Sequence, residues 1–288
     1  MNNNVQNILN ELHIREILHS NRLKVKRMSG TTDGCVYVLS DDQNTYVLKQ
    51  DHHEQLSCVA QFLRTYHDID ILPDVLFFDS ERSYLVYSYM KGTTHGHRGL
   101  KKSWLVNLVR ELLNQYVVYD QNDFWGGLES PQKSWHEFNI TNVDEKRSSV
   151  EGILLDSDYH LVRKLIDKLF SHTGKQDRYF LHGDNGVHNF VFDQNALVGV
   201  IDPFPMVGPV IYDFIYAFCS SSDDLNMETL LEGYKFLRHN QIDQTRLIEE
   251  VVVQLYCRIA ICTKNHPDDL PEYLLAWNYW KELLQSTH

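Results

Sequence analysis

Apolar residues at Val5, Ile8, Leu9, Leu12, Ile17 and Leu18 recur at helical spacing and predict an amphipathic helix over 4–19. The period then changes. Residues 23–28, 35–39 and 45–49 are short β-rich runs. The small-residue turn Ser29-Gly30-Thr31-Thr32-Asp33-Gly34 separates the first two, and Asp41-Asp42-Gln43-Asn44 the next. This predicts three antiparallel strands. A helix follows over 54–66, with His52-His53 at its start and Leu56, Val59, Ala60 and Leu63 apolar; two further strands follow over 75–78 and 84–89. Residues 91–99 form a glycine-containing polar linker. Beyond it the periodicity is mainly helical, over 100–119, 159–170, 211–219, 227–240, 244–264 and 270–285. One interruption stands out. Phe190-Val191-Phe192 and Leu197-Val198-Gly199-Val200-Ile201 flank the turn Asp193-Gln194-Asn195-Ala196 and predict a β-hairpin.

Composition narrows the class. A chain of 288 residues that is 43% hydrophobic supports one large unit or two lobes. It has no apolar run long enough to span a membrane, and Met1-Asn2-Asn3-Asn4 lacks the features of a signal peptide. Five cysteines without a Cys-x-x-Cys pair read as free thiols in a reducing cytoplasm. A net charge of −12 argues against nucleic acid as a partner. No Gly-x-Ser-x-Gly occurs, and the fifteen histidines do not form the motif sets of a metallophosphoesterase.

The candidate chemistry lies around the hairpin. His182-Gly183-Asp184-Asn185-Gly186-Val187-His188-Asn189 precedes it, and Ile201-Asp202-Pro203 ends it. A hairpin brings its open ends together, so Asn189 and Asp202 are predicted to be neighbours. Few, hard oxygen ligands of this kind suit Mg²⁺. Asp184 sits on a glycine-containing loop, where a carboxylate can reach a substrate hydroxyl.

His-Gly-Asp, then Asn five residues after the Asp, then Ile-Asp-Pro, with Gly208 and Asp213 following, resembles the aminoglycoside phosphotransferase and choline kinase group. The resemblance is sharp over 180–214 and looser over 24–92. It implies an α+β, bilobal protein-kinase-like fold. Residues 1–92 would be a small antiparallel-sheet nucleotide-binding lobe, and 93–288 a larger, mainly helical catalytic and acceptor-binding lobe. It implies an ATP- and Mg²⁺-dependent small-molecule kinase. Asp184 would orient the acceptor hydroxyl, and Asn189 and Asp202 would complete the catalytic set and hold the metal. Asp213 would tie the following helix to the loop. Lys49 would contact the α- and β-phosphates, and the turn containing Ser29, Gly30, Thr31, Thr32 and Gly34 would cover them. Tyr87 and Tyr89 would flank the segment that reads the base; side chains there do not separate adenine from guanine.

Alternatives accompany these readings. Lys49 also fits an edge-strand charge, and Glu54, five residues on, is an early position for its partner. A catalytically silent kinase fold serving as a binding module is a second reading. A protein kinase is a third, opposed by His-Gly-Asp in place of His-Arg-Asp, Ile-Asp-Pro in place of Asp-Phe-Gly, and the lack of a long segment after Asp202 that could serve as an activation loop. The acceptor stays open among antibiotic, amino alcohol, sugar and methylated thiosugar. Asp223-Asp224, Glu228, Glu232, Glu249-Glu250 and Asp268-Asp269 add negative charge to the second half. If they line the acceptor cleft, they predict a small-molecule acceptor bearing an amine or other positive group.

Overall fold

The computed structural model describes residues 3–20, 22–28, 34–81, 83–94, 96–170, 177–239 and 241–287. The chain divides into two compact units, Met1–Lys91 and Gly92–His288. The first contains α1 (Asn3–Ile14), β1 (Lys24–Arg27), β2 (Cys35–Ser40), β3 (Thr45–Gln50), α2 (His53–Thr65), β4 (Val75–Asp79) and β5 (Tyr84–Ser88). Its strands form one antiparallel sheet in the order β1-β2-β3-β5-β4. The predicted alternation explains the packing. Leu39, Tyr46, Leu48, Tyr84 and Val86 share a core with Val5, Ile8, Leu9 and Leu12 of α1. The amphipathic stripe of α1 therefore covers one face of the sheet.

The second unit contains α3 (Lys101–Glu111), β6 (Gly126–Gly127), α4 (Trp135–Val150), α5 (Asp156–Phe170), β7 (Tyr179–Leu181), β8 (Phe190–Asp193), β9 (Ala196–Val200), β10 (Met206–Gly208), α6 (Val210–Cys219), α7 (Met227–Tyr234), α8 (Gln244–Asn265) and α9 (Leu270–Ser286). The strands β6, β10 and β7 make a small antiparallel sheet, and β8 with β9 makes the hairpin. Among the described residues no helix is long and apolar enough to cross a membrane.

Three differences from the sequence expectation have physical causes. The helix expected over 100–119 stops at Glu111, because the segment after Tyr116 extends to pair with β7: Tyr119 N–H donates to the Arg178 carbonyl and Phe180 N–H to that of Val117. The helix α4 was not expected, since its apolar positions form no clear stripe. Its signal is a capping motif. Ser134 Oγ accepts from Glu137 N–H at 3.0 Å, while Glu137 Oε2 accepts from Lys133 N–H at 2.9 Å. The helix expected over 227–240 ends at Tyr234, and Asn114 holds the chain beyond it through the Phe236 carbonyl and the Arg238 N–H.

Candidate active site

The loop after β7 is built around a buried carboxylate. Asp213, in the first turn of α6, accepts from His182 N–H at 3.0 Å, Gly183 N–H at 3.2 Å and Tyr116 O–H at 2.7 Å. Burial pushes its carboxyl up to about 7 against the pull of these donors. Gly183 turns the chain with φ +80°, and a Cβ there would lie 2.0 Å from the Phe204 carbonyl oxygen. Only glycine fits. His182 is wholly buried, and burial pushes its imidazole down to about 4. It is therefore neutral near neutral pH, and its Nε2–H donates to the Ile201 carbonyl at 3.1 Å. Phe204 N–H returns a bond to the His182 carbonyl at 2.9 Å. The loop is thus fastened to the far end of the hairpin.

The hairpin forms as its letters predict. Gln194 and Asn195 adopt φ +48° and +66°, the left-handed pair that a two-residue turn requires. Phe190 faces Val200, and Ile201 N–H donates to the Asn189 carbonyl at 2.9 Å. Asn189 thus pairs with the residue before Asp202, which is exposed and itself has φ +56°. A left-handed backbone at a non-glycine residue is strained, and such strain collects at functional sites.

Asp184 is held by three side chains. Tyr216 O–H donates to Oδ1 at 2.7 Å; His188 Nε2 and Asn189 Nδ2 lie 3.0 and 2.8 Å from Oδ2. Burial by itself would raise this carboxyl. The hydrogen bond and charge of His188, joined by the Tyr216 hydroxyl, instead hold it well below the usual carboxylate range. Asn189 Nδ2 also donates to the Asp184 carbonyl at 2.9 Å, an orientation assigned from this network. Its Oδ1 then receives no hydrogen bond from the described residues.

The loop rests on α6. Ser220 Oγ accepts from Val187 N–H at 2.9 Å. Next to it the buried Lys101 Nζ donates to the carbonyls of Phe218 and Ser221, closing the carboxyl end of that helix. Burial pulls this ammonium down to about 8.

In the first unit, Lys49 is buried on β3, whose neighbours on either side are β2 and β5. The edge-strand reading of Lys49 therefore fails, because its strand is internal. Glu54 is exposed in the first turn of α2, and its carboxylate joins no ion pair or hydrogen bond among the described residues. Gly34 has φ +70°, and a Cβ would meet the Gln50 carbonyl oxygen at 2.2 Å. Ser29, Gly30, Thr31 and Thr32 lie outside the described residues. Tyr87 is buried on β5, and Tyr89 just beyond it is 40% exposed.

Asp184 opens on a cavity of about 360 Å³ within the second unit. Phe138, Asn142 and Lys146 line it from α4, one helical turn apart, and Gln254 and Cys257 line it from α8. Tyr212 and Tyr216 of α6 complete an aromatic wall. Sequence reading named none of these as site residues. Tyr216 was traceable as the position one turn beyond Asp213, but Lys146 and Gln254 carry no local motif. Of the acids expected to line an acceptor cleft, only Asp184 does so. Asp223, Asp224 and Glu228 are exposed elsewhere, Glu249 pairs with Lys168, and Glu250 lies against Arg246. Apart from Asp184, none of those acids lines this cavity. A larger cavity of about 650 Å³, lined by Asp144, Arg147, Tyr159 and Tyr256, contains none of the loop residues.

Solved structures place this architecture among known folds. The chain is similar to aminoglycoside phosphotransferase APH(4)-Ia, with a TM-score of 0.60 and 14% identity over 98% of this chain and 99% of that one. A thermostable mutant of the same protein, in ternary complex with AMP-PNP and hygromycin B, gives 0.61 and 14% over 95% and 98%. A protein from Thermobifida fusca YX-ER1 assigned as a fructosamine-3-kinase gives 0.61 and 15% over 97% and 100%. These likenesses establish the protein-kinase-like fold. No curated protein sequence matches the chain. A sequence model of the phosphotransferase enzyme family, APH, matches residues 24–246. With this match across both units, the chain belongs to the phosphotransferase enzyme family and is a small-molecule kinase.

Proposed function

We propose that the protein transfers the γ-phosphoryl group of Mg-ATP to a hydroxyl of a small molecule seated in the cavity beside Asp184. The observation that carries this reading is the Asp184 carboxylate, fixed by Tyr216, His188 and Asn189 and facing that cavity. Asp184 accepts a hydrogen bond from the acceptor hydroxyl and aims its oxygen at the γ-phosphorus. A new O–P bond forms as the bond from the γ-phosphorus to the bridging oxygen breaks, ADP leaves, and the hydroxyl proton departs through Asp184 to water. A carboxyl held so acidic is a weak base. Its role is chiefly orientation, in keeping with a loose transition state that asks little of a base.

The donor set fits Mg²⁺. Asn189 Oδ1 and the Asp202 carboxylate are hard oxygens, too few for a dedicated protein cage and suited to an ion completed by phosphates and water. When bound, the ion would neutralise phosphate charge. Lys49 would bind the α- and β-phosphates, the turn containing Ser29, Gly30, Thr31, Thr32 and Gly34 would cover them, and the segment of Tyr87 and Tyr89 would receive the base. In this reading residues 1–92 are the nucleotide lobe and 93–288 the catalytic lobe. The complex of the APH(4)-Ia mutant with AMP-PNP and hygromycin B supports a nucleotide paired with a small hydroxyl-bearing acceptor. Five free cysteines support a cytoplasmic setting.

Titration calorimetry of ATP with and without Mg²⁺ tests the reading. Asp202→Ala should weaken Mg-ATP binding and abolish turnover. Equal nucleotide affinity in variant and parent would remove Asp202 from the metal site.

A further inference from the structure

The acceptor cavity has two electrical poles. Asp184 forms one, and its oxygens already receive Tyr216, His188 and Asn189. Lys146 forms the other. Its Nζ donates to Oδ1 and to the main-chain carbonyl of Asn142, four residues earlier on α4. An ammonium has three N–H donors, so one is left over. Among the described residues Lys146 has no carboxylate partner, and it forms no ion pair with Asp184.

Gln254 adds a second, independent observation. Its side chain is 8% exposed, lines the same cavity from α8, and makes no hydrogen bond to any described residue. The amide is not among the buried unpartnered atoms, so it opens on the cavity, where a ligand or water can take up its donors and acceptor. Phe138 and Tyr212 supply apolar faces between the poles, and the volume lies at the small end of ligand cavities, which run from about 300 to 1,000 Å³.

These features define a ligand. A positively charged acceptor closing the cavity would strip water from Lys146 and set a like charge beside it. An anion would pair the remaining N–H and give Gln254 an acceptor. We propose that the acceptor is a small hydroxyl compound bearing a carboxylate or a phosphate, and that Lys146, with Gln254, recognises that anion while Asp184 faces the hydroxyl. This rests on the cavity being the acceptor site of the proposed kinase, and it reverses the charge expected from the overall acidity of the chain.

The test is equilibrium binding to the full chain saturated with Mg-AMP-PNP. The probes are glucuronate, glucose 6-phosphate, glucose and glucosamine, together with small hydroxy acids, polyols and amino alcohols. The expected result is tightest binding by a carboxylate- or phosphate-bearing member. Its affinity should fall about tenfold in Lys146→Met and in Lys146→Gln, in line with loss of one charge-assisted hydrogen bond, while Mg-AMP-PNP affinity stays as in the parent. The carboxylate and phosphate arms separate the two kinds of anion. A best ligand that is neutral or cationic, no binding by any anionic member, or anion affinity indifferent to Lys146 would each overturn the proposal. Failure of the nucleotide itself to bind would instead strike at the kinase reading, which the nucleotide titration reads separately.

Discussion

On the loop side of Asp184, the polar groups of residues 182–189 are paired mostly with one another and with α6: Asp213 takes two main-chain N–H groups, Ser220 takes a third, and three side chains hold the carboxylate. On the cavity side, Gln254 makes no hydrogen bond to the described residues and Lys146 keeps a spare N–H. Asn185 is an exception within the loop, buried with its amide unpaired among the described residues. The contrast separates two tasks. Phosphoryl transfer depends on fixed positions, because a small displacement of the attacking oxygen is costly. Recognition depends on groups whose partner arrives with the ligand. Changes to the loop should therefore cost turnover and stability together, and changes to the wall should cost acceptor affinity alone.

The sharpest break is Asp184→Asn, which keeps the shape and removes the charge. Turnover should fall by about 10²–10⁴-fold, the usual worth of a positioned acid–base group, while Mg-ATP affinity holds. Steady-state kinetics on a working acceptor decide it, and unchanged kcat would take Asp184 out of the chemistry.

Gly183→Ala attacks the loop backbone. The left-handed φ and the contact with the Phe204 carbonyl predict a loss of about 2–4 kcal/mol in a denaturant melt. A variant as stable as the parent would mean that the loop is not fixed in the way its hydrogen bonds imply.

His182 gives the loop a pH signature. Unfolded, the imidazole takes a proton below about 6.5; folded, only near about 4. Between these values the unfolded chain binds more protons, so stability falls as pH falls. The loss should reach about 2 kcal/mol by about pH 5. In His182→Gln, whose amide can still donate to Ile201, this part of the acid dependence should vanish. Denaturant midpoints across that window measure it, and an identical slope in parent and variant would contradict the burial argument.

The mildest change falls on the wall. Gln254→Leu removes an amide that has no partner among the described residues, so stability should stay within about 1 kcal/mol or rise. Acceptor KM should increase with kcat nearly unchanged. A large loss of stability would show that Gln254 belongs with the fixed groups after all.

How far each region could be read from letters follows the same division. The loop and hairpin are local. Gly183, the Gln194-Asn195 turn, and the spacing from Asp184 to Asn189 to Asp202 lie within about twenty residues, and short-range backbone rules connect them. Lys49 was legible as a strand lysine, but its internal place required the sheet order. The helix α4 escaped a periodicity reading although Ser134-x-x-Glu137 announced its start, and with it went Phe138, Asn142 and Lys146 of the cavity wall.

The sequence by itself determined the strand and helix alternation of the first unit, the hairpin, and the oxygen-rich set at its open end, because each depends on neighbours a few residues away. Tertiary structure alone decided that Tyr116 and Asp213, ninety-seven residues apart, meet beneath the loop. It decided that Tyr216 reaches Asp184, and that Lys146 and Gln254 from two separate helices face one cavity while most of the acids face elsewhere. Net charge is a sum over the chain. The charge a ligand meets depends on which helix faces turn inward, and packing between distant segments sets that.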